Sequence, residues 1–151
     1  MHRNGGVAVI LSAMVLSTLT ACTSLPRDAQ SAAGPLPYIA VREPVAGGEI
    51  QLTAAIEGNL RIDDACVRFE GRDGRMMTPV FPPGTTIGRD RRGVYVRDGE
   101  TAHALHDGDR FRGGGGALTP DTIRIVRPST GPVPRACVGP FLILNPGFRR
   151  I

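Results

Sequence analysis

The chain has 151 residues, enough for one modest domain. Its 18 basic side chains are all arginine and outnumber 14 acidic ones, for a formal net charge of +4. The arginines are interspersed with Asp and Glu and accompany abundant Gly, Pro and Ala, so charge alone gives no case for a nucleic-acid partner.

Residues 1–21 have the layout of an export signal: His2 and Arg3, an apolar run from Val7 to Leu19, then small residues before a cut. The apolar run falls short of the roughly 20 residues that a spanning helix needs. It closes on Leu19-Thr20-Ala21-Cys22, which resembles the lipobox of bacterial lipoproteins. That resemblance implies a diacylglycerol on the Cys22 thiol and a third acyl chain on the amine freed by cleavage. One acyl chain binds a membrane marginally, whereas two or three hold firmly. Thr23 stands where an Asp tends to retain enterobacterial lipoproteins in the inner membrane. The expected location is therefore the cell envelope, lipid-anchored in the outer membrane and facing the periplasm.

From Cys22 to Pro37 the sequence is small, polar and proline-bearing, without periodicity, and reads as a flexible tether. A single β domain is expected over 38–151. With Cys22 assigned to lipid, Cys66 and Cys137 remain. In an oxidising compartment two cysteines most simply form one disulfide. Closing so long a loop contributes about 4 kcal/mol by chain-entropy reasoning.

Within the domain the apolar period is two. Ile50, Leu52, Ala54 and Ile56 alternate with Gln51, Thr53 and Ala55, and Leu60 and Ile62 continue the pattern beyond Gly58. Val67 and Phe69 mark a short strand beside Cys66. Val80 and Phe81 mark another before Pro82-Pro83-Gly84, where Pro83-Gly84 suits the centre of a type II turn. Asp98-Gly99 predicts a two-residue hairpin with positive φ at both positions. That register sets Arg97 opposite Glu100, Val96 opposite Thr101 and Val94 opposite His103. His106-Asp107-Gly108 predicts a three-residue loop with Gly108 left-handed, which puts Leu105 opposite Asp109 and His103 opposite Phe111. Gly113 to Gly116 reads as a sheet corner or flexible loop, and Ile123 and Ile125 alternate in a further strand. Pro128 to Pro134 reads as a loop. The apolar run Phe141 to Leu144 suits a buried closing strand, ended by Asn145-Pro146-Gly147. Seven to nine short strands make the expected fold all-β: a small antiparallel barrel or sandwich, with an OB-like, partly closed barrel as one topology.

Candidate chemistry is sparse. His103-x-x-His106-Asp107-Gly108-Asp109 is the densest set of metal-ligand types, but either strand geometry points His103 and His106 to opposite faces or His106 lies on the turn, so the two do not converge unaided. Met76-Met77 supplies soft ligands that also diverge, and core filling is the simpler role. The glycine run lacks the Lys-Ser or Lys-Thr of a phosphate loop. Arg89-Asp90-Arg91-Arg92 suits a solvated turn or contact with anionic headgroups. Ser129 lacks a nucleophile-elbow pattern, and Asp63-Asp64 sits at a turn. No cofactor and no catalytic residue is assigned. The expected function is a membrane-anchored envelope lipoprotein whose β domain is a non-catalytic binding or assembly module. Its partners would be membrane lipid through Cys22 and an envelope protein, glycan or anionic headgroup, not nucleic acid. The alternatives are a small periplasmic metal-dependent or hydrolytic enzyme using His103 and His106, and a surface-held inhibitor presenting the Pro128 to Pro134 loop.

Overall fold

The computed structural model describes residues 34–48, 51–119 and 128–151. Cys22 and the Ile123–Ile125 alternation lie outside them. The described chain forms ten strands: β1 (Ala40–Val41), β2 (Ala54–Ile62), β3 (Val67–Gly71), β4 (Met76–Phe81), β5 (Thr86–Asp90), β6 (Gly93–Arg97), β7 (Ala104–His106), β8 (Arg110–Leu118), β9 (Phe141–Leu144) and β10 (Arg149–Arg150). The expected all-β barrel is present, and it is closed. β2 pairs with β3, β3 with β4, β4 with β9, β9 with β8, and β8 again with β2. All these pairings are antiparallel except β4–β9, which is parallel. The result is a closed five-stranded barrel of OB-like strand order. A second sheet, β5–β6–β7, is inserted between the third and fourth barrel strands.

Period-two burial builds the barrel. In β2 and β3, Leu60, Val67 and Phe69 point inward and are almost fully buried, while Arg61 and Glu70 point out and pair across the strands. Phe69, Phe81, Phe111 and Phe148 fill the interior with ring centroids 5.5–6.2 Å apart. Burying each such ring contributes roughly 1.5–3 kcal/mol. Strand β9 is apolar at every position because both of its faces are covered. Leu142 and Leu144 join the barrel interior; Phe141 and Ile143 join a second cluster with Ala40 and Val80, packed by Tyr38, Leu52, Leu118 and Val133. Parallel pairing is characteristically buried on both faces, and β4–β9 follows that rule.

The four glycines form neither loop nor corner between elements. They lie inside β8, where the strand changes partners from β10 to β9 along one edge. A Cβ on Gly115 would stand 2.2 Å from the Ile143 carbonyl oxygen, and one on Gly114 2.5 Å from Asn145 Nδ2. Side chains here would hold β9 away, so glycine is what lets the barrel close.

The second sheet departs from the expected register. Val96 pairs with Leu105, Arg97 with Ala104 and Tyr95 with His106. Asp98-Gly99 therefore begins a longer loop instead of centring a two-residue turn, and Gly99 does not take a positive φ. Ala102 takes that conformation instead, at φ 58°. The cause is the Asp98 carboxylate, which is buried. Its Oδ1 accepts from the Glu100 and Thr101 amides and the Thr101 hydroxyl, and its Oδ2 accepts from the Gly147 amide. Gly99 packs on Gly84, where a Cβ would meet backbone at 2.7 Å. Gly108 does take the left-handed conformation (φ 77°), as does Gly84 (φ 81°) in the expected Pro82–Thr85 turn. However, β7 does not continue into a hairpin with β8. The Gly108 amide bonds the Leu60 carbonyl, and β8 leaves to pair with β2.

Candidate functional site

The described cysteines form the Cys66–Cys137 disulfide, with Cα atoms 5.6 Å apart and a sequence separation of 71. It ties the turn before β3 to the short 3-10 turn Arg135–Cys137 before β9. Asp63 shapes the first turn by accepting from the Ala65 and Cys66 amides at 2.8 and 2.7 Å. Tyr38 bridges to Cys66, so the start of the domain is stitched beside the disulfide.

The densest polar constellation lies where the second sheet meets β10. Asp90 ends β5 and turns the chain by accepting the Arg92 amide at 2.8 Å. His106 ends β7, is buried, and places Nε2 at 3.0 and 3.1 Å from the two Asp90 carboxylate oxygens. Asp109 approaches from the other side. Its Oδ2 accepts the His106 amide at 2.9 Å and stands 3.8 Å from Nδ1, which has no hydrogen-bond partner among the described residues. Arg92 and Arg150 reach Asp109 Oδ1 at 3.3 and 4.0 Å. Tyr95 faces His106 across the strands, and the Arg97 guanidinium lies 4.9 Å from the Tyr95 ring centroid. Gly88 makes room for that ring: a Cβ there would sit 2.5 Å from the Tyr95 hydroxyl. Arg92, His103, Ala104, His106, Arg149 and Arg150 line a cleft of about 320 Å³ over this centre.

Desolvation raises the Asp90 carboxyl, but the Arg92 amide and the His106 imidazole outweigh it and hold the group below the usual carboxylate range. Glu70, gripped by Arg61 and Asn59 on the outer barrel face, is likewise lowered. With Nε2 donating to Asp90, Nδ1 of a neutral His106 is an acceptor, and protonation turns it into a donor facing Asp109. The constellation is thus an imidazole between two carboxylates, rimmed by guanidinium groups.

The other candidates fall in ordinary structural places. His103 is exposed on the loop before β7, so it shares the cleft with His106 instead of occupying the opposite strand face. Among the described residues, no group of three or more His, Cys, Asp or Glu side chains is placed to hold a metal ion. Met76 is exposed and Met77 packs on the core. The Ser129 hydroxyl donates to the Val41 carbonyl, and Tyr38 and Thr130 bond across the same seam, which lays the Pro128 to Pro134 segment along β1. Asp107 accepts the Ile62 amide and Arg89 donates to the Gly34 carbonyl. Sequence reasoning missed Asp90 as the partner of His106, and Arg149 and Arg150 as the cleft rim. No local pattern announces these contacts, because they join β5, β7 and β10. Comparison with protein-family models, curated proteins and solved structures found no match.

Proposed function

We propose that this protein is an envelope lipoprotein, anchored through Cys22 and presenting its barrel as a non-catalytic binding or assembly module. The observation that carries the reading is the Cys66–Cys137 disulfide in a chain that opens with an export-type segment closing on Leu19-Thr20-Ala21-Cys22. A buried disulfide suits an oxidising compartment, and the four-residue motif supplies the reason to remain at a membrane once there. The barrel interior is packed with aromatic and aliphatic side chains, which leaves recognition to its polar outer faces. Residues 22–37 would hold the barrel off the bilayer, and an envelope protein, glycan or anionic headgroup would be its partner. Intact-mass measurement of protein recovered from envelopes tests this. The expected mass is that of a chain beginning at Cys22 with added acyl groups, and Cys22→Ser should leave the chain unprocessed or free of membranes. An unacylated mature wild-type chain would refute the anchor.

A further inference from the structure

We propose that the cleft rimmed by Arg92, Arg149 and Arg150 binds a tetrahedral phosphate oxyanion, and that His106 takes up a proton as it does so. The proposal deepens the binding-module reading and rests on it only for the source of the ligand.

Arg92 from the β5–β6 turn, His103 from the loop before β7, and Arg149 and Arg150 from β10 all line one cleft. Arg92 and Arg150 keep 55% and 58% of their side-chain surface in solvent, so both can reach an incoming anion. One guanidinium fork already satisfies a planar carboxylate; a cleft lined by three arginines offers donors to match a phosphate, which has more acceptor oxygens. The internal anion Asp109 is only 13% exposed and holds two of these arginines loosely, at 3.3 and 4.0 Å. An external phosphate draws Arg92 and Arg150 away from it. Asp109 then needs a replacement cation, and the buried His106 ring stands ready with Nδ1 at 3.8 Å and no other hydrogen bond among the described residues. Asp90 on Nε2 fixes the ring in place for that transfer of charge. The other charged or titratable neighbours are His103, exposed on the cleft wall, Tyr95 across the strand, and Arg97 beyond its ring. Binding and protonation are therefore linked: each favours the other.

The test uses the full chain in zwitterionic detergent, with two probes: inorganic phosphate, and dihexanoyl phosphatidylglycerol, whose phosphodiester keeps one charge between pH 6 and 8. The Arg92 and Arg149 side-chain NH resonances and the His106 ring resonances should shift saturably. Arg149→Gln and Arg92→Gln should each weaken binding about tenfold. Arg72→Gln, on the distant β3–β4 turn, should leave affinity unchanged. Phosphatidylglycerol affinity should rise several-fold from pH 8 to pH 6, and His106→Gln should flatten that rise. Binding of both probes assigns the cleft to a lipid headgroup, and binding of phosphate alone assigns it to a free phosphate ligand; either supports the oxyanion site. Absence of saturable shifts with both probes, or equal weakening by Arg72→Gln, overturns it whether or not Cys22 carries lipid. A flat pH series in wild type removes the role given to His106.

Discussion

The barrel and the inserted sheet are built from the same short strands, yet they are specified differently. Barrel strands are set by which residues must be buried: Leu60, Val67 and Phe69 on alternating positions, and the whole of Phe141–Leu144 between two apolar clusters. The inserted sheet also buries Val96 and Leu105 in that same core, with Ile87 packed on them, but its loop and its outer end are set by contacts to distant chain. Asp98 bonds Gly147, Gly99 packs against Gly84, and His106 is held by Asp90 and Asp109. Burial on alternating positions makes the barrel strands legible; polar clamping at the end of the inserted sheet leaves arginines and an imidazole at a surface where a ligand can compete for them.

The largest expected effect falls on barrel closure. Gly115→Val would push a branched side chain into the Ile143 carbonyl and the Ile56 side chain. It should cost about 4–5 kcal/mol or prevent folding, seen as a collapse of the thermal transition followed by circular dichroism. A variant that melts near wild type would show that β8 and β9 need not approach so closely.

Asp98→Ala comes next and should act locally. Removing a buried acceptor of several hydrogen bonds should cost about 2–3 kcal/mol in denaturant titrations. Hydrogen exchange should quicken at Glu100, Thr101 and Gly147 while Leu60 and Phe69 stay protected. Uniform loss across both regions would mean that the two sheets do not differ in how they are held.

These two sites also show where the sequence was legible. Alternation exposed β2 and β3, and four consecutive apolar residues exposed β9, because burial leaves a periodic trace. Asp98-Gly99 misled because a two-residue turn is a local signal, while the Asp98 side chain answers to Gly147, far along the chain. The glycine run misled because glycine inside a strand makes sense only beside Asn145 and Ile143, which fold supplies and sequence does not. The cleft was half visible. His106 stood out as a ligand type, but its partner Asp90 was hidden in an arginine run that reads as a solvated turn.

The smallest effect concerns pH. Asp90 has a lowered carboxyl in the folded protein, so its contribution to stability is present above the ordinary carboxylate range, about pH 4, and is lost as pH falls through the lowered value. Melting temperatures of wild type and Asp90→Asn should differ at pH 6 and converge on acidification. A difference that grows toward low pH would reverse the assignment.

The proposed exported barrel, fastened by one covalent bond and anchored by another, is tested most directly by non-reducing peptide mapping of protein recovered from the envelope. The account predicts a Cys66 peptide linked to a Cys137 peptide, with acyl groups on Cys22 in the same sample. Free thiols at Cys66 and Cys137, or an unmodified Cys22, would contradict it.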